Sequence, residues 1–155
     1  MNEASLTMSP AVAYYRPDPT LEERFDEINS EVQNAAGAIA QNTRDKILNF
    51  FLVAHAIIEE HSAKLIWSEI FNSGAQTQES LDYVMEDMNQ SHREDLLFAS
   101  EVINGSLYTK LQQTRGARNE LAHNYGQPLK WNGDLKQKAK TAIEGFDELH
   151  ARCVP

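Results

Sequence analysis

Between positions 118 and 125 the chain reads Arg118-Asn119-Glu120-Leu121-Ala122-His123-Asn124-Tyr125. A guanidinium, a carboxamide, an imidazole and a phenol thus fall within about two turns of a helix. Arginine supplies a permanent cation with a planar fork of donors suited to phosphate. Histidine takes or gives a proton near neutrality. Together they suit metal-free cleavage of a phosphodiester, in which an RNA 2′-hydroxyl attacks the adjacent phosphorus. His123 would act as general base or acid, and Arg118 would stabilise the charge on the phosphoryl oxygens. The structural alternative is that Arg118 pairs with Glu120 or a neighbouring helix while His123 caps a helix end.

Spacing constrains the chemistry. Asn119 and His123 are four apart and share a helix face, so the amide can orient the imidazole. Arg118 and His123 are five apart, about 140° around the axis. They converge on one phosphate only if the helix end unwinds or a second subunit contributes. A twofold axis would bring both pairs into one cleft, because an isologous interface sets the same patch of each chain against itself. Arg115, one turn before Arg118, would extend the positive strip, and Lys110 is a further candidate RNA contact on the same helix. No metal and no cofactor enter this scheme.

The elements that must hold these residues are all helical. Residues 1–19 contain Pro10, Pro17 and Pro19 and read as an arm able to move, with Tyr14 and Tyr15 available to pin it to the body or a partner. Thr20-Leu21-Glu22-Glu23 is a capping box that opens a helix to about Gln41, with Leu21, Phe25, Ile28, Val32, Ala35, Ala36 and Ile39 on one stripe. Thr43 or Asn42 can cap the next helix, about Arg44 to Phe71. It is the most apolar segment and is expected at the centre. Asn72-Ser73-Gly74 ends it. Shorter helices are expected at about Gln78 to Asn89 and, from a capping box at Ser91-His92-Arg93-Glu94, to about Ile103. Ser106 can cap the helix that carries the motif, about Leu107 to Asn124, which Gly126 and Pro128 stop. A last helix runs from about Gly133 to Ala151. Without sustained strand alternation the fold class is an all-α antiparallel bundle of about five to six helices. Residues 20–152 form one domain.

Composition supports this and limits the function. With 41% hydrophobic and 24% charged residues the chain has a soluble globular make-up. No apolar run approaches the ~20 residues needed to span a bilayer, so no membrane role is expected. The first residues carry no basic region leading into an apolar one, which points to the cytoplasm. Cys153 is the only cysteine and reads as a thiol at a frayed chain end. A net charge of −9 argues against broad binding to polyanions. Its distribution is uneven: residues 1–109 hold 6 Lys+Arg against 18 Asp+Glu, and residues 110–155 hold 8 against 5. The net-basic segment contains the motif, which fits a local anionic-ligand site; chance unevenness on solvated helix faces is the alternative.

The segment Arg118-Asn119-Glu120-Leu121-Ala122-His123 resembles the signature of HEPN-domain proteins, an Arg followed after four to six residues by His, often with Asn next to the Arg. The resemblance implies a small, usually dimeric helical bundle. It also implies a metal-independent endoribonuclease of toxin–antitoxin, phage-defence or RNA-processing systems. Residues 56–66 are similar to the family's central helix, where a Glu and a Lys often lie four apart. Glu60 and Lys64 match that spacing, and Glu59 is the other candidate carboxylate. Tyr125 extends the pattern to R-x-x-x-x-H-x-Y. This form resembles HEPN toxins silenced by a nucleotidyltransferase antitoxin that adenylylates the tyrosine. The resemblance implies that Arg118 and His123 are catalytic, that Asn119 and Glu60 support them, and that Tyr125 is a modification site. The other function open to this family is a non-catalytic module that binds a protein partner or a nucleotide.

Other constellations carry less. Glu120-x-x-His123 has the spacing of half a di-iron site, but the chain has no second such pair. His55, Glu59 and His61 do not make H-E-x-x-H, and His55 reads as a hydrogen-bonded or rim residue. Trp67 and Trp131 could stack on bases, yet tryptophan in an amphipathic bundle usually packs.

Overall fold

Among residues 12–34 and 39–154, which the computed structural model describes, apolar residues recurring every three or four positions build six α-helices. They are α1 (Leu21–Asn34), α2 (Gln41–Glu69), α3 (Gln78–Asp82), α4 (Gln90–Ala99), α5 (Gly105–His123) and α6 (Gly133–Cys153). No strand occurs among the described residues. The fold is an all-α bundle. Residues 1–11 of the arm, and Ala35 and Ala36 of the expected first stripe, lie outside the described residues. No helix among the described residues is long and apolar enough to cross a membrane.

The long apolar helix takes the central place expected of it. α2 packs against α1, α4, α5 and α6. Ile47, Phe50, Phe51, Ala54, Ile58, Leu65 and Ile66 are fully enclosed. Burial of such side chains, at about 1.5–3 kcal/mol each for the larger ones, is the main force holding the motif helix in place. α5 lays Leu107, Leu111, Thr114 and Ala117 inward, and α6 closes the other side with Leu135, Ala139, Ala142, Phe146 and Leu149.

Several helix starts differ from the sequence expectation. α1 does not run to Gln41, because Ala40 is extended and Gln41 begins α2. Neither Asn42 nor Thr43 caps α2. The Asn42 amide oxygen accepts from the next residue's N–H, and the Thr43 hydroxyl donates to Glu31 at 2.8 Å. α4 is capped by Asn89, whose Oδ1 accepts from His92 N–H at 2.9 Å, not by Ser91. α5 is capped by Asn104, whose Oδ1 accepts from Leu107 N–H at 2.8 Å, not by Ser106. Asparagine caps as well as serine does, so an upstream Asn moved both boundaries. At α1 the expected cap is present: the Thr20 hydroxyl accepts from Glu23 N–H at 3.1 Å. The expected helix over residues 78–89 keeps one regular turn, α3, and then widens into a π turn, Tyr83–Asp87. The Arg93 guanidinium fills the opening, donating to the carbonyls of Val84 at 2.9 Å and Met85 at 2.7 Å.

Both tryptophans pack. Trp67 is buried and donates to Ser80 Oγ and the Thr77 carbonyl. Trp131 is buried against Phe25 and donates to Asn29 at 2.7 Å. Cys153 is not frayed: it ends an intact α6, half-buried, and burial pushes its thiol up to about 12.

The arm from residue 12 lies on the α2–α6 seam. Tyr14 packs its ring at a tilt against His61, Arg16 pairs with Asp147 at 2.9 Å, and Lys64 donates to the Ala13 carbonyl. Beneath it His61 Nδ1 donates to the Ile57 carbonyl at 2.9 Å, so its Nε2 accepts from His150 Nδ1–H at 2.9 Å. Burial pushes His61 down to about 4, and burial lowers His150 as well. Both rings are therefore neutral at pH 7. The unfolded chain binds the proton first as pH falls, so the stability this pair provides at neutral pH is lost between the ordinary histidine range and about pH 4. For His61 that loss is at most about 3 kcal/mol. Urea unfolding at pH 7 and pH 4.5 should show it, and His61→Phe should flatten the difference.

Candidate active site

The C-terminal half of α5 runs antiparallel to the N-terminal half of α2. Tyr125 meets Asp45, and the charge of Arg118, two turns earlier, acts on the His55 ring. α5 stays regular to its last residue, with Asn124 N–H donating to the Glu120 carbonyl at 3.0 Å. Gly126 then takes a φ of +92°, which releases the chain from the helix axis. The helix end does not unwind, so Arg118 and His123 keep their separation of about 140°. One chain alone does not turn both toward the same phosphate.

Arg118 is half-buried. Its Nη1 donates to Asn119 Oδ1 at 2.8 Å, and its Nε is buried without a partner. Among the described residues it meets no carboxylate. The pairing with Glu120 does not occur, because Glu120 faces Lys138 of α6 at 3.4 Å. Asn119 is therefore committed to Arg118 rather than His123. His123 is exposed at the last helical position, with no side-chain hydrogen bond among the described residues.

The other cations of the basic segment are differently placed. Arg115 Nε donates to Glu94 Oε2 at 3.0 Å, and Glu94 on α4 is fully buried. Burial raises the Glu94 carboxyl, and the Arg115 contact pulls it back down. Lys110 is paired with Glu148 and Glu144 of α6. Lys138 is shared between Glu120 and Asp134. Three cations of the net-basic segment, Lys110, Arg115 and Lys138, are thus matched by acids from its own and other elements, and the positive strip through Arg115 and Lys110 does not form. Arg118 remains the cation of α5 without an acidic partner.

Glu60 lies on α2 and holds Lys64 at 2.5 Å, away from Arg118 in the contacts it makes. Glu59 is the carboxylate nearer the motif, 3.7 Å from His55 Nδ1 and 3.9 Å from Arg93. His55 is neither the rim residue nor the hydrogen-bonded residue expected: Nδ1 stands 3.7 Å from Glu59. It is 7% exposed and its Nε2 has no partner. The signal for it was present as an imidazole with a Glu four residues later on the most apolar helix.

Tyr125 is 62% exposed and its hydroxyl donates to Asp45 at 3.3 Å. It borders a groove of about 360 Å³ with Arg44, Leu48 and Leu121. The phenol thus stands on the surface just past the motif. No family model, curated protein or solved structure matches the chain.

Proposed function

We propose that the chain is a metal-independent endoribonuclease of the HEPN type, working in the cytoplasm as a homodimer. The observation that carries the reading is the state of Arg118. It is a half-buried guanidinium in a chain of net charge −9 that meets no carboxylate while its neighbours Arg115 and Lys110 do. A cation that meets no carboxylate among the described residues is poised for an anionic group from outside. Because α5 stays straight, Arg118 of one subunit acts with His123 of the other across the twofold axis. His123 takes the proton from the 2′-hydroxyl. The 2′-oxygen attacks phosphorus, the bond from phosphorus to the 5′-oxygen breaks, and that oxygen takes a proton from water. Arg118 offsets the charge on the non-bridging oxygens.

Tyr125 fits the silencing arrangement that the R-x-x-x-x-H-x-Y pattern implies. Its exposed phenol would accept an adenylyl group from a nucleotidyltransferase antitoxin, blocking the cleft with a bulky anion. On this reading the protein belongs to a toxin–antitoxin or phage-defence system.

A second reading is favoured by the pairing of Arg115 and Lys110 with acids: a HEPN-fold module that binds a protein partner or nucleotide without cleaving. Labelled RNA incubated with purified protein in EDTA separates them. The ribonuclease yields fragments ending in a 2′,3′-cyclic phosphate and a 5′-hydroxyl; intact RNA throughout supports the binding module.

A further inference from the structure

Three buried side-chain nitrogens among the described residues meet no partner, Arg44 Nε, His55 Nε2 and Arg118 Nε, and the last two belong to residues that the packing of α2 on α5 brings within electrostatic reach of each other. An unpaired polar atom in the interior is costly, so two that could serve one another call for a reason. Glu59 on α2, Arg93 on α4, and Arg118 and Arg115 on α5 all act on the His55 ring. Glu94 of α4 stands against Arg115. Glu59 lies 3.7 Å from Nδ1. A carboxylate there favours the tautomer with the proton on Nδ1 and leaves a lone pair on Nε2. Burial and the three arginines favour the neutral ring, opposed by Glu59. A lone pair without a donor and an N–H without an acceptor therefore belong to residues within electrostatic reach of each other.

We propose that His55 is the positioning residue for Arg118: a side-chain adjustment lets His55 Nε2 accept the Arg118 Nε–H and aims the free N–H groups at an RNA phosphodiester. Asn119 Oδ1 on Nη1 supplies the second fixed point. The role in cleavage rests on the ribonuclease reading; the contact does not. Protonating His55 removes the lone pair and sets two cations together, so Arg118 is released as pH falls and stays held at neutral pH and above.

The contact is read without RNA by NMR of ¹⁵N-labelled full-length protein. His55 ring nitrogens are assigned with His55→Gln, and the Arg118 Nε–H with Arg118→Lys. The expected result at pH 7 is a neutral His55 protonated on Nδ1 and an Arg118 Nε–H that exchanges more slowly than that of exposed Arg152. His55→Phe should lose that protection and His55→Gln, which keeps an acceptor, should restore it. In the RNA assay His55→Phe should lose up to about 100-fold, as expected for a misplaced group, with His55→Gln recovering most of it. An Arg118 Nε–H as fast as that of Arg152, or one indifferent to His55→Phe, would overturn the contact. A protected Nε–H in a protein that leaves RNA intact would support the contact and sink the ribonuclease reading instead.

Discussion

Arg118→Ala and His123→Ala are each expected to lower RNA cleavage by about 10²–10⁴-fold while the bundle keeps its thermal transition close to that of the parent protein. The kinetic size follows from the roles: general acid–base transfer contributes about 10²–10⁴, and one charge-stabilising donor about 10²–10³. The small stability change follows from the contacts. Arg118 holds no carboxylate among the described residues, so its removal strands no buried charge, and His123 is exposed. Asn119→Ala should fall between these variants and the parent, because it removes the one side-chain bond that fixes Arg118. Glu60→Gln should leave cleavage near the parent level, since that carboxylate serves Lys64. A gel assay run in EDTA, with circular dichroism on the same samples, checks each of these.

Arg115→Ala is expected to produce the largest loss of stability near the site, about 3–5 kcal/mol at neutral pH. Glu94 is fully buried and Arg115 is its counter-ion, bonded at 3.0 Å and 3.3 Å to the two carboxylate oxygens. Removing one partner of such a pair leaves a charge in the interior. The sign of the pH dependence is fixed by burial, which already raises the Glu94 carboxyl. Without Arg115 the group rises further and takes up a proton on the acid side. The deficit is therefore largest at high pH and shrinks as pH falls. Guanidinium unfolding at pH 8 and pH 5 measures it. Replacing both residues, Glu94→Gln with Arg115→Met, should restore part of the loss, because no ion is then left alone. A single variant within about 1 kcal/mol of the parent at both pH values would mean that the pair is solvated.

These two predictions separate what the sequence discloses from what it withholds. The apolar stripes of α1, α2 and α6 and the Gly126–Pro128 stop are local signals, and they gave the bundle and the motif's place at a helix end. Helix starts were less legible, because Asn89 and Asn104 compete with Ser91 and Ser106 on equal terms. The widening at Tyr83–Asp87 depends on Arg93 reaching back to carbonyls eight and nine residues earlier, which periodicity does not show. The charge count misled more. A net-basic segment suggested a positive strip, yet Arg115 and Lys110 are matched to Glu94 and Glu148, 21 and 38 residues away. Such pairing is tertiary and leaves no trace in spacing. His55 was underrated for the same reason: its surroundings come from three helices.

The account stands or falls on the sharing of Arg118 and His123 between subunits. Arg118→Ala and His123→Ala proteins, each silent alone, are unfolded together, refolded as a mixture and assayed on RNA in EDTA. A mixed dimer holds one intact Arg118 on one chain and one intact His123 on the other, so cleavage should return in the mixture, at a substantial fraction of the parent rate. A mixture that exchanges subunits and stays as silent as its components, or a parent protein that leaves RNA intact, would contradict the account.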